Sequence, residues 1–162
     1  MQLVLAGDFA VVREKYIDVI EHTRHMNIHA RWIYGQHPTD AMIQSYIDRQ
    51  EMYLFIDGQN VAGMTAITMY QGEDYHEVIW SQNLKDDEVA SLHIFTVTPE
   101  YQGKGVSKRM MAEIISLAMC QTAHCGRCKL HFVFGEFTSP IVPYRNLPQA
   151  PDGMTADCCS LV

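Results

Sequence analysis

No stretch of the 162 residues approaches the ~20 consecutive apolar residues that a membrane-spanning helix needs, so no membrane partner is expected. Basic residues are scarce, with 12 Lys and Arg against 19 Asp and Glu and a net charge of -7. Such a surface repels a polyanion, so nucleic acid is not expected as a partner. An anionic ligand then has to be held locally, by a few placed donors and not by the general field. The five cysteines are an odd number, three within 120–128 and two adjacent at 158 and 159. That is not the even spread of a secreted disulfide framework, and the chain is expected to be cytoplasmic with reduced thiols. Met1 to Gly7 has a short apolar run with no basic region before it and no cleavage site, so it reads as a strand and not a signal peptide. There is no internal repeat, low-complexity tract or linker before the last fifteen residues, and the length suits one domain.

What is present alternates between two periods. Asp8 can cap a helix whose apolar positions Val12, Tyr16, Val19 and Ile20 fall on one face. A second helix starts after Pro38-Thr39-Asp40, with Ile43, Tyr46 and Ile47 as its buried stripe. Met52 to Ile56 is a short β-rich run, Asp57-Gly58-Gln59-Asn60 a tight turn, and Val61 to Tyr70 its antiparallel return. A polar loop, Gln71 to Glu88, leads to a strand over Ser91 to Thr98, which Pro99 stops. Val106, Met110, Ile114 and Leu117 then repeat at helical spacing, and Lys129 to Phe134 closes the pattern as a strand. The order predicts an α/β domain around a mixed sheet.

The chemistry is concentrated in Val97-Thr98-Pro99-Glu100-Tyr101-Gln102-Gly103-Lys104-Gly105-Val106-Ser107-Lys108. A strand ends, a turn with two glycines follows, and an amphipathic helix begins. Glycine adopts backbone conformations barred to other residues and lets a ligand come close. The first amides of the helix lack internal acceptors and lie at the positive end of its dipole. Together they make an anion site suited to phosphate, with Lys104 and Lys108 adding charge at the rim. The same spacing also serves a turn that merely needs glycine. A dinucleotide fingerprint fits less well, because the third glycine is missing.

This segment resembles the signature of the GNAT acetyltransferases, Gln/Arg-x-x-Gly-x-Gly/Ala after a strand ending Val-x-Pro-Glu. Gln102 and Gly105 match, and Ser107 stands where Gly or Ala is usual. The resemblance extends over the element order as far as Phe134. It implies a GNAT-like mixed, mostly antiparallel sheet flanked by helices, and an N-acetyltransferase that moves an acetyl group from acetyl-CoA to an amine by direct attack. It implies that backbone groups of Phe95, Thr96 and Val97 pair with the pantetheine arm and the acetyl carbonyl. The turn from Gly103 through Lys104, Gly105, Val106 and Ser107 to Lys108, behind Gln102, would take the pyrophosphate. His93 is a candidate general base, since imidazole ordinarily titrates near pH 6.5; a packed histidine is the plainer reading. Glu77 and Glu88 are weaker candidates. The region from Met26 to Tyr34, with His29, Trp32 and Tyr34, falls where the family lines its acceptor site. The loop from Gln71 to Glu88, with six carboxylates, Tyr75 and Trp80, is either a solvated surface or a pocket for a cationic amine.

The resemblance weakens after Phe134. Tyr144 matches the family's general acid and Leu147 also fits, but Phe137 and Pro140 replace the family's Asn and Ala. Pro140 and Pro143 would break a helix there, at about 3 kcal/mol each in an interior position. The chain therefore divides into a binding domain, 1–147, and an irregular tail, 148–162, in place of the family's C-terminal hairpin. The sheet edge this leaves invites a homodimer. A catalytically impaired acyl-CoA-binding or dimer-forming protein is the alternative function. Cys125-Gly126-Arg127-Cys128 has zinc-ligand spacing but no second pair, and no metal site is assigned. Cys159-Ser160-Leu161-Val162 has the outline of a prenylation box without upstream basic residues, and no lipid anchor is assigned.

Overall fold

The computed structural model describes residues 1–70, 89–122 and 131–134. Five strands run in sheet order β1 (Gln2–Leu5), β2 (Met52–Asp57), β3 (Asn60–Thr68), β4 (Val89–Val97) and β5 (His131–Phe134). The first four are antiparallel to their neighbours, and β5 runs parallel to β4. The helices are α1 (Phe9–His22), α2 (Met26–His29), α3 (Asp40–Asp48) and α4 (Val106–Thr122). This is the mixed, mostly antiparallel α/β arrangement expected. The loop from Gln71 to Glu88, Tyr144 and the tail lie outside the described residues, as do Cys125, Cys128 and the expected dimer edge beyond Phe134.

Local signals set the helix boundaries. The Asp8 carboxylate accepts from the Ala10 and Val11 amides, satisfying two donors that an α-helix leaves open at its start. Thr39 does the same for the Met42 amide at the head of α3. Burial then follows the periodicity: Val12, Tyr16 and Val19 in α1, Ile43 in α3, and Val106, Met110 and Ile114 in α4. Two short elements carry no periodic signal and went unpredicted, α2 and a 3-10 turn over Pro99–Tyr101. Each is too brief for a repeat to show.

The helices cover both faces of the sheet. α1, α2 and α3 pack with Met52, Met64, Ala66 and Ile94 in one core cluster. α4 packs with Tyr53, Phe55, Ala62, Ile67 and Leu92 in the other. Gly63 allows α4 to come close. A Cβ there would lie 2.8 Å from both the Met110 sulfur and the Thr96 carbonyl oxygen.

Strand β4 is irregular in a way that shapes everything after it. Thr96 pairs with Met64, but His93 and not Ile94 pairs with Ala66. Two residues, Ile94 and Phe95, therefore stand opposite Thr65 alone, which is a β-bulge. The extra residue puts His93 and Ile94 on the same face. His93 stacks on Tyr46 of α3, and Ile94 joins the α1–α3 core. Leu92 and Phe95 face α4. Ile94 has φ 46°, a left-handed conformation that a β-branched residue adopts only when its surroundings enforce it.

Candidate functional site

The site is built where β4 passes out of its pairing with β5 and runs into α4. Pairing of β4 with β5 covers Val89 to Leu92, opposite His131 to Phe134. On its other edge β4 stays bound to β3, with the Thr98 amide donating to the Ala62 carbonyl at 3.1 Å. Backbone groups of successive strand residues point to alternate edges. Thr96, two residues from Thr98, therefore spends its backbone on Met64. Phe95 and Val97 present theirs to the opposite edge, where no strand among the described residues pairs with them.

The bulge that starts this segment is pinned from both sides. The Tyr16 hydroxyl donates to the Ile94 carbonyl at 2.7 Å in the buried core. The Thr65 hydroxyl donates to the His93 carbonyl at 3.2 Å. Tyr16 was legible only as an apolar position of α1. Its phenolic tip is the signal that a buried partner had to exist, since a buried tyrosine hydroxyl almost always finds one.

After β4 the chain turns through the 3-10 segment into Gly103 and Gly105, both at φ 73°. No atom lies within 4 Å of where their Cβ atoms would be. These glycines are required by the backbone conformation and not by lack of room. The Arg109 amide makes a long bond, 3.4 Å, to the Gly105 carbonyl. The amides of Val106, Ser107 and Lys108 precede it and have no helical acceptor. The Val106 side chain is buried under α4, so only its amide can serve a ligand, whereas Ser107 and Lys108 are exposed. The Lys104 ammonium sits 5.8 Å from the centre of the Tyr101 ring, at the side of the turn.

Gln102 has a use that the motif did not reveal. Its side-chain amide donates to the Val97 carbonyl at 3.0 Å and to the Thr23 hydroxyl, just past α1, at 2.8 Å. It thereby ties the turn to β4 and to α1, and it occupies one carbonyl of the otherwise open edge. The Tyr101 hydroxyl donates to Asp57 at the β2–β3 turn, 3.2 Å away. Burial, and then the nearby Asp57 charge, push the Tyr101 phenol above its ordinary value.

Among the other sequence-predicted positions, His93 is half-buried on the α1–α3 face, with Nε2 3.1 Å from the Thr68 hydroxyl. It lies two residues before Phe95, so it stands beside the open edge and not in the glycine turn. Trp32 is packed, 9 % exposed, edge-on to Tyr16 and to His37. Its burial gives it a part in the α1–α3 core. Tyr34 donates to Asp40, and the Arg13 guanidinium covers its ring. Glu77 and Glu88 lie outside the described residues. Among the described residues no cluster of His, Cys, Asp or Glu could hold a metal ion, and no helix is long and apolar enough to cross a membrane.

A bulged strand with an open edge, running into a left-handed glycine turn at a helix start, can hold an extended ligand by its polar backbone and an anion by its amides. Comparison with known proteins agrees with this arrangement. The model of the acetyltransferase (GNAT) family matches residues 19–134. A protein assigned as an acetyltransferase from Staphylococcus aureus Mu50 superposes with a TM-score of 0.56 at 15% identity, over 76% of this chain and 75% of its own. A GNAT-family acetyltransferase from Streptococcus agalactiae 2603 gives 0.52 at 14% identity, over 70% of this chain and 68% of its own. No curated protein matches the sequence.

Proposed function

The chain belongs to the GNAT acetyltransferase family, and from that premise we propose that it transfers an acetyl group from acetyl-CoA to an amine by direct attack. The observation that carries the proposal is the continuity of two sites on one stretch of backbone. The open edge at Phe95 and Val97 leads within six residues to the glycine turn and the uncapped amides of α4.

In this reading the amides from Gly103 to Lys108 hold the pyrophosphate, aided by the start of α4 and by Lys108 at the rim. Phe95 and the Val97 amide bind the pantetheine arm and orient the thioester carbonyl. Acetyl-CoA supplies an activated acyl group: the amine forms the C–N bond, the C–S bond breaks, and the amine proton is lost while the thiolate leaves as a thiol. A backbone amide aimed at the carbonyl oxygen stabilises the charge that develops there. His93 accepts the amine proton, directly or through a water. Tyr144 is the proposed donor to the departing thiolate. With reduced thiols and this co-substrate, we place the protein in the cytoplasm.

The test is isothermal titration of the protein with acetyl-CoA beside a Gly105→Glu variant, followed by thiol release with a panel of primary amines. A side chain and a negative charge at a left-handed residue of the turn are expected to abolish binding. Equal binding by the two proteins would remove the pyrophosphate site from this turn. Binding without thiol release from any amine would favour an acyl-CoA-binding protein over a transferase.

A further inference from the structure

The segment between α1 and α3 differs in charge from the rest of the chain. Residues 22–39 hold two arginines, four of the eight histidines and no aspartate or glutamate, in a chain whose net charge is -7. Its first part is tied at both ends to residues that hold β4. At one end the Thr23 hydroxyl accepts from Gln102, which also donates to the Val97 carbonyl. At the other, Trp32 packs edge-on to Tyr16, whose hydroxyl donates to the Ile94 carbonyl. Positions 24–31 are therefore strung beside the stretch from Ile94 to Val97, where β4 has its open edge.

Arg31, next to Trp32, combines three features. Its amide follows that of Ala30 in donating to the Met26 carbonyl, at 2.9 Å, and its φ is 55°. A left-handed residue just past a helix is where glycine is the cheap choice, and an arginine there costs stability that glycine would not. The Arg31 side chain is exposed, and its guanidinium makes no hydrogen bond, ion pair or ring contact among the described residues. Arg13 and Arg49, by contrast, are bound to Asp40 and Glu51. On either side of Arg31 in the chain stand Ile28 and Ile33, 64 % and 54 % exposed. A rigid fork of donors flanked by open apolar side chains complements a molecule with a carboxylate and an apolar body.

We propose that Arg31 determines specificity and that the acceptor is a small primary amine carrying a carboxylate and an apolar body, as an apolar α-amino acid does. The inference rests on the transferase reading above for the fate of the amine, but not for its binding. The acidic surface elsewhere repels such a carboxylate, so the preference has to be set locally. The Arg31 guanidinium takes the carboxylate through two parallel N–H donors, Ile28 and Ile33 cover the apolar part, and the amine is left for the open edge of β4. Arg24, whose Nε donates to His25, adds positive charge to the same segment.

Binding is read without turnover, by calorimetric titration of the full chain with and without CoA. The probes are L-leucine, L-leucinamide, which lacks the carboxylate, and glycine, which lacks the apolar body. L-leucine is expected to bind about tenfold more tightly than either of the others. Arg31→Gln and Arg31→Gly are expected to bind L-leucine and L-leucinamide alike, with acetyl-CoA affinity unchanged. Arg31→Gly relieves the left-handed backbone, so its urea midpoint should equal or exceed that of the wild type. Equal binding of L-leucine and L-leucinamide by the wild type, binding of neither, or a preference that survives in Arg31→Gly overturns the proposal. So does an Arg31→Gly protein of clearly lower midpoint, which makes Arg31 a residue of the fold. Thiol release from acetyl-CoA is then measured with the same amines, and the ratio of kcat/KM for L-leucine over L-leucinamide should fall about tenfold in Arg31→Gln. L-leucine bound as expected but without thiol release removes the transferase reading and leaves the carboxylate-binding arginine standing.

Discussion

Strand β4 and the turn that follows it both use left-handed backbone, and they obtain it by opposite means. Gly103 and Gly105 sit at φ 73° with open space where a side chain would be. Their conformation is cheap and local, because glycine carries no Cβ to clash. Ile94 reaches φ 46° with a β-branched side chain that is 1 % exposed. Nothing local favours that state. It persists because Tyr16 holds the Ile94 carbonyl from across the core and Thr65 holds the His93 carbonyl beside it. The proposed pyrophosphate site is thus written in residues that form it, whereas the proposed transfer point is imposed by distant ones. The first should survive changes in the core that damage the second.

The variant that breaks the comparison most severely is Gly63→Ala, because Gly63 touches both regions. Its missing Cβ is the space taken by Met110 of α4, which follows the turn, and by the Thr96 carbonyl, which follows the bulge. Neither contact can yield without moving backbone or a buried side chain, so a loss of about 2–3 kcal/mol is expected in denaturant unfolding. Acetyl-CoA affinity and turnover should fall together. Tyr16→Phe comes next and separates the regions. It removes the hydroxyl that donates to the buried Ile94 carbonyl, at about 1–3 kcal/mol, and lets the bulge relax. The expected result is a drop in kcat with acetyl-CoA affinity within about twofold, as befits an interaction of the transfer point alone. A weaker affinity equal to the loss in kcat would show that bulge and turn are one unit. Gly103→Ala should do the converse, costing about 1–2 kcal/mol for the left-handed alanine and weakening acetyl-CoA binding at constant kcat. Combining Tyr16→Phe with Gly103→Ala sharpens the point. Separately built regions give stability losses that add within about 0.5 kcal/mol.

The same contrast explains what the sequence disclosed. The cap at Asp8, the start of a helix near Asp40, the apolar stripes of α1, α3 and α4, and the turn after Asp57 are local patterns, and the structure carries each of them. The glycine turn was legible for the same reason. The bulge was not read, although the alternation of Ser91 to Thr98 breaks at the adjacent apolar pair Ile94 and Phe95, because such a pair also occurs in regular strands and Ile94 is an ordinary strand residue. Nor was the division of the β4 backbone between two edges, which turns Thr96 toward Met64 and leaves Phe95 and Val97 outward. Gln102 matched the motif as a residue type, but its bonds to Val97 and Thr23 join positions 5 and 79 residues away, and no spacing rule reaches the second. Long-range pairing is the common element in everything the sequence withheld.

The smallest effect expected belongs to the tie between the turn and the β2–β3 hairpin. Tyr101 donates to Asp57, and the fold raises its phenol pKa, first through burial and then through the Asp57 charge. A raised pKa means that the folded state prefers the neutral phenol more than the unfolded chain does. The stability this linkage provides is therefore complete below the unfolded value of about 10 and is lost as pH rises through the folded value above it. Tyr101→Phe, which removes both hydroxyl and linkage, should differ from the wild type by a constant amount at neutral pH. That difference should shrink in strongly alkaline solution, as the wild type surrenders what the variant never had. Urea unfolding of the two proteins across pH 8 to about 11 measures it. A gap that widens with pH would mean that the ionised phenol is the form the fold prefers, and the hydroxyl bond to Asp57 could not then be what anchors the turn.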